Sequence, residues 1–308
     1  MRSATEKFYA FSVRGASLLQ IALLASVAGV LYWNARPAIS HFGLSFFSNS
    51  SWNPVTDTYG ALVFILGTLV TSLIALIIAV PLSVASAIFI TQFVPKKLAS
   101  TLAFLVSLLA AVPSIIYGLW GVFVLIPFLR KIFATSFEFP FYGVSIFSAG
   151  VLLAIMIIPT ITSLSRELFR ATQEIYRESA LALGSTRWEA IKLGVIGISW
   201  RGIAGASLLG LGRAIGETMA VTMVIGNANR FPILAAENPI KYIFSPSNTM
   251  SSLIANEYGE AMAGSIHLSS LFLVGLGLLA VSITTNAIAR SIVSERTIYK
   301  LKRKAKKR

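Results

Sequence analysis

Arg213 and Glu217 stand four residues apart in a stretch, 202–226, that is otherwise apolar, small or hydroxylated. On a helix, residues at i and i+4 lie on one face a turn apart, so the two side chains can reach each other. Each ion placed in hydrocarbon costs about 2.5–3.5 kcal/mol on insertion scales, and leucine would pack there as well. Ions retained at such depth usually mark a path for a charged species. The plainer alternative is a self-neutralising pair that only fixes helix register.

Other chemistries find little support. The chain has no cysteine, hence neither a disulfide framework nor a thiolate metal site. His41 and His267 are far apart and form no HExxH pair, and Asp57 is the only aspartate. No GxxxxGK[ST] motif is present, so any nucleotide chemistry must belong to another chain.

The elements that must position Arg213 and Glu217 follow from composition. Of 308 residues, 56% are hydrophobic and only 12% charged, and the mean hydropathy is +0.77. A water-exposed surface needs about twice that charge. Six runs are long and apolar enough to cross a bilayer: 15–33, 60–93, 98–129, 147–164, 202–226 and 268–289. The first is too long for a signal h-region and lacks an A-x-A site, so it reads as a retained span. The second and third are too long for one perpendicular crossing, and Pro81 and Pro113 inside them predict kinks or emergent ends. With the N-terminus inside, the inside segments hold twenty of the 26 Lys and Arg and the outside ones five, leaving Arg213. The positive-inside rule therefore predicts both termini on the cytoplasmic side. The basic stretch 294–308 reads as an anchor against anionic lipid headgroups, not as a nucleic-acid arm.

The longest inside loop, 165–201, reads as a helix pair. Ile175, Ser179, Ala182 and Leu183 line one face of its first helix. Gly184 suits a left-handed C′ position. Thr186-Arg187-Trp188-Glu189 fits a capping box, and Trp188, Ile191 and Val195 follow on the second helix. Within 202–226 every fourth residue is small (Gly202, Ala206, Gly210, Ala214, Thr218, Thr222, Gly226), with Gly212 and Gly216 on the neighbouring line. Such a stripe lets another helix approach closely, whether within the chain or from a partner.

Two of these stretches resemble a known family. Glu178-Ser179-Ala180-x-x-x-Gly184 with the following Thr186-Arg187-Trp188 turn resembles the EAA loop of ABC importer permeases. Ser179 replaces the usual alanine, and Ile196-Gly197 stands where the family commonly has Leu-Pro. Gly210-Leu211-Gly212-Arg213-Ala214-Ile215-Gly216-Glu217-Thr218-Met219-Ala220-Val221-Thr222, with Ile225-Gly226-Asn227-Ala228 behind it, is similar to the signature of phosphate-transport permeases, of the PstC type more than its PstA partner. The stretch 254–261 and His267 also match PstC.

That resemblance implies an all-α, six-span type I (MetI-like) permease fold over 60–293. The segment 1–59 would precede it with the first span and an outer loop, and 294–308 would follow as a basic tail. Arg213, Glu217, Thr218 and Asn227 would line a phosphate pathway, while Gly210, Gly212 and Gly216 serve helix packing. Glu178, Ser179, Ala180, Gly184, Arg187 and Trp188 would dock onto a cytoplasmic ATPase. The chain would be non-catalytic and carry no cofactor, ATP being bound by a PstB-like ATPase dimer. A paralogous PstA-like permease and a periplasmic PstS-like phosphate-binding protein would complete the assembly in the inner membrane. The nearest rival is an ABC permease for sulfate, molybdate or phosphonate. A membrane enzyme would need a nucleophile–base set, and an ion channel would not need the EAA loop.

Overall fold

The computed structural model describes residues 4–133, 141–172, 174–229 and 242–293. The basic segment 294–308 lies outside them. Among the described residues the chain is helical, with two isolated bridges, Asn53–Thr58 and Gly226–Ser247. Six stretches are long and apolar enough to cross a membrane: Phe11–Phe47, Leu62–Phe93, Ser114–Phe133, Ile146–Ala171, Arg187–Gly216 and Ile266–Ile288.

The first span belongs to α1 (Ala4–Phe42) and runs beyond the 15–33 expected from the sequence. Its Leu18, Leu19, Ile21, Leu23 and Leu24 are exposed, whereas Ala35 and Ala38 are buried. The buried end is tied to the last helix, α12 (Ile266–Val293). There the Ser269 hydroxyl accepts from the Ala38 N–H at 3.0 Å and donates to the Asn34 carbonyl at 2.8 Å. The hydroxyl thus sits inside the helix's own i→i−4 ladder, a recognised cause of bending.

At the centre α2 (Leu62–Ile88) packs on α6 (Ile146–Ala171). Gly67, Thr71, Ala75, Ala79, Ser83 and Ala87 recur at i+4 on α2, and all are buried. This small stripe lets the backbones close on each other. A side chain at Gly150 on α6 would collide with Ile74, at 2.6 Å. Pro81 and Pro159 both lie inside these helices without ending them. Ser83 binds across the seam, donating to the Ile158 carbonyl at 3.2 Å and accepting from the Thr162 hydroxyl at 3.4 Å. Satisfied polar contacts of this kind are what hydrocarbon demands.

The long third run divides as its proline foretells. α3 (Lys96–Ala111) ends at Val112, whose ψ of 129° is extended, because the residue before proline is pushed out of the helical region. The crossing itself is α4 (Ser114–Trp120), a π turn at Gly121–Leu125, and α5 (Ile126–Phe133).

Span five departs most from the sequence reading. It starts upstream, where α8 (Arg187–Ile191) passes through a π turn, Lys192–Ile196, into α9 (Gly197–Gly216). It also stops early. Glu217 is extended, at φ −70° and ψ 129°, and a separate short helix, α10 (Met219–Ile225), follows. The continuous helix expected over 202–226 is therefore two helices. α11 (Met250–Glu257) then lies beside α10 and α12 and against α2.

Candidate functional site

The helix break separates the two ions that the sequence spacing had put together. Because Glu217 leaves the helix, its side chain is no longer a turn above Arg213, and among the described residues no ion pair joins them. Arg213 instead donates from Nη1 to the Thr160 hydroxyl on α6 at 3.3 Å. Glu217 turns toward α10, with the Ala220 N–H at 3.5 Å from Oε1. Arg213, Glu217 and Thr218 are all half-buried within the chain.

Breaking a helix at membrane depth frees backbone groups that must find partners. The Gly216 carbonyl receives the Thr218 hydroxyl at 3.3 Å. The Glu217 carbonyl receives the Ser251 hydroxyl of α11 at 2.8 Å. α10 ends at Gly226, left-handed at φ +95°, where a Cβ would press on Pro246 at 2.7 Å. Asn227 follows, also left-handed at φ +49°, and donates to the Thr222 carbonyl at 2.9 Å while accepting from Ser252 at 3.0 Å. The lining expected from Arg213, Glu217, Thr218 and Asn227 is therefore distributed over α9, the break and both ends of α10. Thr160 holds Arg213, while the buried Ser251 and Ser252 hold the Glu217 carbonyl and the Asn227 side chain, and sequence spacing points to none of the three. They come from separate segments, and only the crossing of α6 and α11 past the break assembles them.

The stripe on α9 divides as well. A Cβ at Gly202 would meet Leu168 at 2.6 Å, and one at Gly210 would meet Ile161 at 2.8 Å, while Ala206 and Ala214 are buried. This line packs on α6 within the chain. The neighbouring line is different: Gly212 has only Asn286 near it, at 3.8 Å, and Gly216 faces open space. Thr218, Thr222 and Gly226 lie beyond the break and do not extend the stripe.

A second polar cluster gathers around Glu257. Glu257, on α11, accepts at Oε2 from the Trp52 indole at 2.8 Å, with His267 Nε2 also at 2.8 Å. Asn229 donates to Oε1 at 3.3 Å, and Asn248 donates to Asn229 at 3.0 Å. His267 stacks on Tyr59, the rings 5.5 Å apart and 5° from parallel. Burial pushes the Tyr59 hydroxyl well above its ordinary range, and its hydrogen bond to Asp57 and the Glu257 charge push the same way, so it stays neutral.

At the other end, α7 (Glu174–Ala182) finishes in Gly184 at φ +86°. The Gly184 N–H bonds the Leu181 carbonyl at 3.0 Å and the Ser185 N–H bonds that of Ala180 at 3.2 Å, a Schellman closure. The capping box on α8 is complete: Thr186 Oγ1 accepts from the Glu189 N–H at 3.3 Å, and Glu189 Oε2 from the Thr186 N–H at 2.8 Å. Glu178, Ser179, Gly184, Arg187 and Trp188 are exposed and Ala180 is half-buried. Leu183 and Trp188 form an apolar tip, 88% and 56% exposed. Ile191 and Val195, expected beside Trp188, turn inward to Ala87, Ile88, Phe169 and Ile203. Gly194 lets α7 cross the π turn, a Cβ there lying 3.1 Å from the Arg177 backbone nitrogen.

This arrangement has close relatives in sequence. The phosphate transport system permease protein PstC of Mesorhizobium japonicum is 42% identical over 300 residues, covering 93% of this chain and 89% of the relative. The chain belongs to the PstC family. PstC of Pasteurella multocida is 41% identical, covering 88% and 86% of the two chains. A probable PstC of Methanocaldococcus jannaschii is 36% identical over 91% and 89%. No family model matches the chain. Among solved structures, a bacterial alginate ABC transporter in complex with its alginate-bound periplasmic protein superimposes with TM-score 0.55 at 16% identity, over 93% of this chain and 97% of that one. The MetNI methionine ABC transporter, inward facing, gives 0.51 at 17% over 77% and 95%. These likenesses carry the fold, which is that of a MetI-like importer permease, and the PstC-family chain is a multi-pass membrane protein.

Proposed function

We propose that this PstC-family chain is the permease subunit of a phosphate-importing ABC transporter and forms half of the pathway for inorganic phosphate. The observation that carries this reading is Arg213, a half-buried cation in a membrane-spanning helix held by a neutral hydroxyl and by no carboxylate among the described residues. Its planar fork suits an oxyanion, to which it offers charge-assisted hydrogen bonds. Phosphate near neutral pH keeps at least one proton, and Glu217 at the adjacent break accepts a hydrogen bond from it. Thr218 and Asn227 carry the polar lining outward.

A PstA-like permease supplies the other half, against the open Gly212–Gly216 line. A PstS-like periplasmic protein delivers phosphate to the outer loops, and a PstB-like ATPase dimer binds ATP. Glu178, Ser179, Ala180, Gly184, Arg187 and Trp188 dock to that ATPase, a role supported by the exposed tip and the rigid closures on either side of it. Both termini lie on the cytoplasmic side of the inner membrane, and the chain itself is not an enzyme. The reading is tested with Arg213→Gln in the assembled transporter. Phosphate uptake is expected to disappear while the subunits still co-purify, and uptake at the wild-type rate would remove Arg213 from the pathway.

A further inference from the structure

We propose that Thr160 is a positioning residue of this pathway: it fixes the Arg213 guanidinium through an uncharged hydroxyl, so the cation stays available to a passing oxyanion. The proposal rests on the reading of Arg213 as a pathway residue.

The bond from Arg213 Nη1 to Thr160 Oγ1, 3.3 Å, joins α9 to α6 across 53 positions of sequence. Thr160 lies fourteen residues into α6, roughly 21 Å along it at about 1.5 Å per residue, close to the middle of a span. Its surroundings are braced. Pro159 beside it is buried, and Ser83 of α2 grips both the Ile158 carbonyl and the Thr162 hydroxyl, on either side of position 160. On the other helix, Gly210 seats against Ile161 and Ala214 is buried. The register of α9 on α6 is thus set by packing without Thr160, so its hydroxyl is not needed to hold the helices together. What it does hold is the end of a long side chain that would otherwise sample many rotamers.

The neutrality of the partner is the functional point. A carboxylate would occupy the guanidinium fork in bidentate fashion and compete with the substrate. A threonine hydroxyl accepts one of five N–H groups and leaves the charge and the other donors in place. Arg213 and Thr160 are both half-buried within the chain, so neither residue is sealed in its core.

The test uses the complete transporter in vesicles, measuring uptake of inorganic phosphate and the yield of assembled complex. Thr160→Val keeps the shape and removes the acceptor. It is expected to raise KM for phosphate about three- to tenfold with little change in maximal rate. Thr160→Ser should return KM to within about twofold of wild type. In an Arg213→Lys background, which lacks the planar fork, Thr160→Val should add no further rise. A wild-type KM in both Thr160→Val and Thr160→Ala, with uptake still abolished by Arg213→Gln, would overturn the proposal and leave the pathway reading standing. Normal uptake in Arg213→Gln would instead remove that reading. Loss of assembled complex in both Thr160→Val and Thr160→Ala would mark a packing role and also overturn the proposal.

Discussion

Glu257 and Arg213 are both partly buried charges in an apolar molecule, and their surroundings are opposite. Glu257 has both oxygens engaged, by Trp52, His267 and Asn229. Arg213 in span five has one long hydrogen bond to a neutral hydroxyl. A buried charge whose bonds are filled stabilises the segments that fill them. Glu257 ties together the loop before α2, the stretch after α10, and the junction of α11 with α12. A charge left with unfilled donors is costly to keep, and intramembrane charges that persist at such cost are usually functional. The contrast sets the proposed pathway cation apart from an ion whose bonds are all local.

The difference can be broken from either side. The largest effect is expected at Arg213: Arg213→Gln should abolish phosphate uptake with little loss of assembled complex, read by uptake and by co-purification in parallel. Next comes the proposed coupling loop, whose turn is closed by the Gly184 and Ser185 amides and by the Thr186–Glu189 capping box. Gly184→Asp places a charged side chain on the exposed left-handed turn and should sharply reduce substrate-stimulated ATP hydrolysis or release the ATPase. Normal stimulation and normal co-purification in that variant would count against docking there. Glu257→Ala should act on stability, by about 1–3 kcal/mol as donors lose their acceptor. The remaining folded transporter should keep its KM for phosphate, and a changed KM with unchanged thermal stability would place Glu257 in the pathway instead. The smallest effect concerns Glu189. Glu189→Ala removes one side of the capping box, and hydrogen exchange at the amides of positions 186 and 189 should quicken while the spans stay protected as before.

Much of the architecture was legible because hydrocarbon imposes length and composition on a span. The six crossings, the break at Pro113, the Gly184 turn and the capping box all follow from local rules. The stripe on α2 was equally legible: Gly67, Thr71, Ala75, Ala79, Ser83 and Ala87 obey the same i+4 spacing as the stripe on α9. The inward turn of Ile191 and Val195 was not legible, since it depends on α2 and α6 ending beside them.

The sequence by itself determined that a cation and a carboxylate lie four residues apart in a membrane-spanning region, and that the surrounding motif is of the phosphate-permease type. Tertiary structure decided that they do not pair. Helical spacing predicts contact only if the helix continues, and nothing local at Gly216-Glu217-Thr218 forbids continuation. The break survives because α11, distant in sequence, brings Ser251 to the freed Glu217 carbonyl. Arg213 is then left to Thr160, a partner that α6 supplies and that no spacing rule could name.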